Sequence, residues 1–148
     1  MLNGLGVSVM KAKHIRAYME CAHAFARCST AERLKVGAVL VKQNRIISCG
    51  YNALPEALDG PCEDETGKTR PEVRHAEENA LRALVRSPES AVGATMFVTH
   101  WCCLQCAIDV VDAGVVTVYV DNPYRSPDGL QYLRDNEVEV IQYDHSVQ

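Results

Sequence analysis

Residues 94–143, ATMFVTHWCCLQCAIDVVDAGVVTVYVDNPYRSPDGLQYLRDNEVEVIQY, alternate three β-rich runs with two segments punctuated as helices. The runs are 94–99, 115–120 and 137–143. A helix is predicted from about Cys103 to Gly114, a residue suited to ending one. Ser126-Pro127 supplies a capping hydroxyl and a proline for the first turn of another, running to about Asn136. Strands joined through a helix need a crossover, so the last two strands are expected to be parallel rather than a hairpin.

Working outward, VGAVLV (36–41) and RIISCGY (45–51) are β-rich and separated by Lys42-Gln43-Asn44, which predicts an antiparallel hairpin. Before them, Ile15, Met19, Ala22 and Phe25 fall at helical spacing within 11–28. After them, a helix is expected from about Arg74 to Arg86, closed by Ser87-Pro88. Residues 52–72 carry Pro55, Gly60, Pro61, Gly67 and Pro71 and read as one long loop, a feature that compact domains usually keep for function. The order α-β-β-α-β-α-β-α-β gives an α/β protein: a three-layer α-β-α fold with a mixed five-stranded sheet. Strands 36–41 and 115–120 are almost continuously apolar, as strands covered on both faces are.

The 148 residues suit a single domain, with 1–10 and 144–148 expected to be flexible ends. Hydrophobic residues at 47% and charged residues at 23% exclude a disordered or collagen-like chain. The net charge of −4 speaks against a sequence-independent grip on nucleic acid, while leaving room for a local basic pocket. No apolar run reaches membrane-spanning length, and Lys11 and Lys13 follow the weakly apolar first residues instead of preceding them, the wrong order for a secretory leader. Seven cysteines, an odd number, then read as thiols of a reducing cytosol, where clusters serve metal or catalysis.

Two short motifs carry the chemistry. His75-Ala76-Glu77 opens one predicted helix and Cys103-Leu104-Gln105-Cys106 opens another. His75, Cys103 and Cys106 supply three ligands suited to tetrahedral zinc with one position open, as a catalytic zinc requires. Two thiolates weaken the ion as a Lewis acid, and Glu77 beside it offsets that by moving protons. A helix N-terminus also favours the thiolate form. Cys-x-x-Cys alone would leave redox chemistry, structural zinc and chance open. Combined with His-x-Glu, it is the general signature of zinc nucleobase deaminases.

The chain resembles the deoxycytidylate deaminases of the cytidine deaminase superfamily from about His14 to Tyr143. The resemblance is carried by VGAVLV, CGYN with Pro55, RHAEENAL (74–81), VTHWCCLQCAIDVVDAGV (98–115) and NPYR (122–125). It implies a cytidine deaminase-like fold and zinc-dependent hydrolysis of dCMP to dUMP and ammonia, which supplies dUMP for thymidylate synthesis. It assigns His75, Cys103 and Cys106 to one zinc ion and proton transfer to Glu77. Backbone N–H groups of Ala76 and Glu77 would hold the pyrimidine carbonyl, Asn52 would touch the deoxyribose and Tyr124 would pack on the base. Arg33, with Ser29 nearby, and Arg125 would meet the 5′-phosphate. It further implies dCTP and dTTP as effectors near Tyr51, Asn52, Ala53 and Glu56, Mg with such a triphosphate, a homo-oligomer of hexamer type, and a cytoplasmic setting without nucleic-acid or membrane partners.

Three departures stand out. Cys102 occupies the place of the family's usual Pro, Ala31 that of a Cys that helps hold a second, structural zinc in many relatives, and Ala53 that of a Gly. The Ala53 exchange narrows the backbone angles open to the effector segment. Outside the motifs the expectations are plainer. Cys21, Cys28 and Cys49 read as small buried hydrophobes and Cys62 as an exposed loop thiol. His14, His23 and His145 read as surface or capping residues, and Glu63-Asp64-Glu65 as a solvated face. Two alternative functions remain at this level: a deaminase of another base, nucleoside or RNA, and a zinc-stabilised binding module without turnover.

Overall fold

The computed structural model describes residues 10–58 and 60–146; of the ends expected to be flexible, 1–9 and 147–148 lie outside the described residues. The elements are α1 (Ala12–Ala26), β1 (Gly37–Lys42), β2 (Arg45–Tyr51), α2 (Ala76–Ala83) continued by a 3-10 turn (Leu84–Arg86), β3 (Thr95–His100), α3 (Leu104–Asp112), β4 (Thr117–Asn122), α4 (Asp128–Asp135) and β5 (Glu139–Gln142). They form a five-stranded sheet in the order β2-β1-β3-β4-β5. β1 is antiparallel to β2 and β3, whereas β3, β4 and β5 run parallel. The hairpin turn places Gln43 and Asn44 at positive φ, a conformation Asn tolerates better than most residues, and Tyr18 Oη donates to Asn44 Oδ1 at 2.7 Å.

The connections explain the layers. β2 to β3, β3 to β4 and β4 to β5 each pass through a helix and step the same way across the sheet. Right-handed crossovers therefore put α2, α3 and α4 on one face and leave the other to α1. Side-chain alternation agrees: Ala38, Leu40, Met96, Val98, Val118 and Val120 join the core beneath α2–α4, and Val39, Val41 and Phe97 meet Met19 and Ala22 of α1. The same geometry turns the N-termini of α2, α3 and α4 toward the carboxyl ends of β2, β3 and β4, where open α/β sheets carry their ligands.

Two details depart from the sequence reading. β4 begins at Thr117, two residues beyond the apolar start at Val115. Residues 144–146, read as part of a flexible end, carry a specific contact. The buried carboxylate of Asp121 lies 2.7 Å from His145 Nε2 and 2.6 Å from His23 Nε2, so α1 and the C-terminal segment meet on one acid. These two histidines are thus structural partners rather than plain surface residues.

Gly129, in the first turn of α4, lies against the loop before α3: a Cβ there would stand 2.1 Å from the Cys102 carbonyl oxygen. In an exposed helix a Gly-to-Ala change gains up to about 1 kcal/mol. Here overpacking costs about 1–3 kcal/mol and reverses the sign. Gly129→Ala is expected to lower the thermal unfolding midpoint, whereas Ala at an exposed helix position such as Gln131 is expected to leave it nearly unchanged.

Candidate metal centre and substrate cavity

Each ligand is fixed by its helix start. His75 is the residue before α2, and its backbone N–H donates to Glu78 Oε1 at 3.3 Å. Gly50 lets that helix rest on the end of β2, since a Cβ there would approach Ala76 O and Ala80 N to 2.5 Å. Asn79 Nδ2 adds a hydrogen bond to Tyr51 O at 2.8 Å. Cys103 caps α3, its sulfur accepting the Cys106 N–H at 3.4 Å. Helix α2 thus starts where β2 has delivered the chain through a long loop, and α3 starts directly after β3.

The result is a compact donor set. His75 Nδ1 lies 3.2 Å from Cys106 Sγ and 3.5 Å from Cys103 Sγ, and all three atoms fall within 4.8 Å of one another. A tetrahedral zinc bonded at roughly 2.0–2.1 Å to nitrogen and 2.3 Å to sulfur separates N from S by about 3.6 Å. Both the donor chemistry and the spacing fit that ion, and three protein ligands leave a fourth position open. The protons of the set are already shared among its members. Cys103 is held down to about 4, chiefly by the hydrogen bond with Cys106 and then by that with His75. His75 is raised to about 9, first by its hydrogen bond with Cys103, and Cys106 is pushed up by its bond to Cys103 and by burial.

Glu77 sits beside this set, 4% exposed, with its carboxyl raised mainly by burial. Its own backbone N–H and the nearby Cys102 thiol act against that rise. Cys102 is therefore not idle in the place of a proline. It is buried, outside the donor set, and its thiol is pushed well up by burial and by Glu77. Ala76 and Glu77 open α2, where N–H groups have no partner within the helix.

A cavity of about 230 Å³ opens over the donor set; Asn52, His75, Ala76, Glu77, Cys103 and Tyr124 all line it. Arg33 and Arg125 line it too and are shared with an adjoining opening of about 470 Å³, to which Lys68 and Ser126 also contribute. The donor set and Glu77 thus share one cavity with two guanidiniums. The Arg125 guanidinium lies 5.2 Å from the Tyr124 ring centroid, in cation–π range.

Other residues singled out in the sequence have different surroundings. Ser29 is buried away from the cavity lining: its hydroxyl donates to Asn52 O at 2.7 Å and accepts the Ala31 N–H at 3.1 Å. Asn52 itself clamps the approach to β1, accepting the Val36 N–H at 2.8 Å and donating to Leu34 O at 2.7 Å. Ala53 pairs with Arg74 through two backbone bonds of 3.1 and 2.9 Å and has no positive φ, so the exchange for Gly imposes no strain there. Tyr51 ends β2 and Glu56 lies exposed in a turn; neither lines the cavity.

The cysteine expectations need correction. Cys28 is exposed, Cys21 and Cys49 are half-buried, and Cys62 is buried with its sulfur 3.6 Å from Thr30 Oγ1. The run Glu63-Asp64-Glu65 is likewise not one solvated face. Glu63 is buried in the cavity wall, while exposed Asp64 folds the loop by accepting the Thr66 and Lys68 N–H groups at 2.8 and 3.1 Å. Lys68, Thr69 and Glu63 are cavity residues that no sequence spacing announced, while His100, whose place before the metal helix left a supporting role open, also lines the cavity. They arrive from the long loop and from a strand end, where only the tertiary path decides proximity.

Residues 12–122 match the protein family described as the cytidine and deoxycytidylate deaminase zinc-binding region. The ComE operon protein 2 of Bacillus subtilis is 31% identical over 140 residues, spanning 88% of this chain and 72% of that protein. The deoxycytidylate deaminase of Mycobacterium phage D29 is 35% identical over 115 residues, spanning 68% of this chain and 88% of that protein. Among solved structures, the dCMP deaminase of cyanophage S-TIM5 in complex with dCMP and dUMP superimposes with a TM-score of 0.89. It is 40% identical, covering 91% of this chain and 100% of that one.

Metal analysis after dialysis checks the donor set. Cys106→Ala is expected to lose bound zinc, and Cys102→Ala to retain it. Loss of zinc from Cys102→Ala would place that thiol among the ligands.

Proposed function

This chain belongs to the cytidine and deoxycytidylate deaminase family, and from that premise we propose that it hydrolyses dCMP to dUMP and ammonia. The observation that carries the reading is a single cavity that brings the metal set and buried Glu77 together with Arg33 and Arg125, beside an opening that adds Lys68. A pyrimidine nucleotide has the matching groups, a reacting ring at one end and a phosphate at the other. The likeness to a cyanophage enzyme described with dCMP and dUMP supports the same substrate.

His75, Cys103 and Cys106 would hold zinc, which when bound supplies Lewis acidity that makes water nucleophilic near neutral pH. Water adds to C4 of the base, the C4–N bond breaks, and the amine leaves as ammonia. Glu77 takes the proton released by the attacking water and delivers it to N3 of the ring, then takes the proton of the new C4 hydroxyl and passes it to the departing nitrogen, so one carboxyl serves as base and as acid. Its burial suits both roles by raising its affinity for the proton. N–H groups at the start of α2 face the pyrimidine carbonyl, Tyr124 packs on the base, and the guanidiniums of Arg33 and Arg125 pair with the phosphate. Ser29 acts indirectly, by fixing Asn52 beside the sugar.

The wider reading follows the family. The product supplies dUMP for thymidylate synthesis in the cytoplasm, in a hexamer. dCTP and dTTP, with Mg, act on the segment around Tyr51, Asn52, Ala53 and Glu56. No helix among the described residues is long and apolar enough to cross a membrane. Adding dCTP and dTTP to the turnover assay tests the effector part.

Three measurements test the core of the proposal. Glu77→Gln is expected to keep its zinc and its fold while ammonia release from dCMP falls at least about a hundredfold; loss of zinc as well would contradict the division of roles. Because burial raises Glu77, its base form is lost as pH falls through that raised value, so the acid limb of kcat/KM is expected above the ordinary carboxylate range. Arg33→Ala and Arg125→Ala are expected to raise KM for dCMP and to leave residual turnover of deoxycytidine unchanged. Equal wild-type activity on dCMP and deoxycytidine would remove the phosphate argument.

A further inference from the structure

Glu63 reaches the cavity wall from the long loop, which folds back on itself: Glu63 bridges Thr69, and Asp64 N donates to Lys68 O at 2.7 Å. The residue keeps only 6% of its surface exposed. Its Oε1 is consumed by two backbone donors, Glu32 N at 2.9 Å and Arg33 N at 3.1 Å, which lock the carboxylate plane. Its Oε2 is buried and has no hydrogen-bond partner, the one such side-chain atom among the described residues. A buried carboxylate oxygen without a donor is costly, and nothing in the loop relieves it. Both Glu63 and Thr69 line the cavity that holds the metal set, and Glu63 does not extend into the adjoining cationic opening.

We propose that Glu63 Oε2 accepts the hydrogen bond of the substrate's sugar 3′-hydroxyl and thereby restricts the enzyme to nucleotides whose 3′ position is unsubstituted. The proposal rests on the reading of the substrate as dCMP. Apart from its phosphate, that molecule carries hydrogen-bond donors on two groups, the amine of C4 and the 3′-hydroxyl. The amine departs at the metal set beside Glu77, and the phosphate belongs with the cationic opening. The hydroxyl is the donor left for a carboxylate on the cavity wall. An ionised carboxylate accepts and does not donate. It welcomes a hydroxyl and repels a phosphate on the same carbon, so a nucleotide within a strand is refused at that position. Net charge alone disfavours nucleic acid across the whole surface; Glu63 does so at one atom.

The test compares kcat/KM of the zinc-loaded enzyme for dCMP, 2′,3′-dideoxycytidine 5′-monophosphate and deoxycytidine 3′,5′-bisphosphate, in wild type, Glu63→Gln and Glu63→Ala. A hydrogen bond to a charged acceptor predicts a wild-type preference of roughly ten- to hundredfold for dCMP over the dideoxy analogue, and still weaker use of the bisphosphate. In Glu63→Ala the preference over the dideoxy analogue is expected to fall to near unity. Glu63→Gln keeps an oxygen for the Glu32 and Arg33 N–H groups and so guards against loss of folding, which a thermal midpoint checks. In that variant the bisphosphate is expected to gain on dCMP. A residue that only braces the loop would depress all substrates together, so folded variants with an unchanged preference would overturn the assignment. A wild type that uses the dideoxy analogue as well as dCMP would do the same. If wild type turns over none of the three, the dCMP reading falls and this proposal with it; turnover of dCMP without discrimination overturns Glu63 alone.

Discussion

The handedness of three crossovers governs this protein. Because β2, β3 and β4 all feed helices that step the same way across the sheet, three helix starts are turned toward the strand ends that supply them. A helix start is an electropositive place with spare N–H groups. It favours a thiolate at Cys103, and at the start of α2 it offers N–H donors beside Glu77. Without this constraint His75 and Cys106, which are 31 residues apart in sequence, would have no reason to lie 3.2 Å apart.

Close packing turns that topological rule into sub-ångström placement. Gly50 lets α2 settle on β2, and Gly129 lets α4 settle on the Cys102 carbonyl. The cysteines are thus pinned through α4, an element that contributes no ligand. Leu130 and Leu133 of α4 share a core with Cys102, Cys106 and Val110, so the donor set is continuous with the hydrophobic interior. In such an interior small changes of volume are felt at a distance. Burial also gives Glu77 its raised proton affinity.

The long loop shows how a segment with little regular structure becomes part of a site. Its turn is built from local bonds, with Asp64 accepting N–H groups from Thr66 and Lys68. That turn presents Lys68 to the cationic opening and Glu63 to the cavity wall. One short loop thus contributes an acid to the cavity wall and a cation to the adjoining opening. The scaffold around Asn52 belongs to the same story: Ser29 and the backbone of Leu34 and Val36 hold it through three hydrogen bonds to its backbone carbonyl and side-chain amide.

The sequence by itself determined the element order and the parallel relation of the last strands, and it singled out the His75, Cys103 and Cys106 donors that the fold brings together. Those features rest on local signals: apolar periodicity, caps, prolines, and ligand types at helix starts. The burial of Glu63 and Cys62, the pairing of Asp121 with His23 and His145, the withdrawal of Ser29 from the cavity and the approach of Lys68 were decided only in three dimensions. Each of these depends on where a loop or a terminal segment comes to rest. That resting place is set by contacts distant in sequence, for which hydrophobic spacing carries no signal.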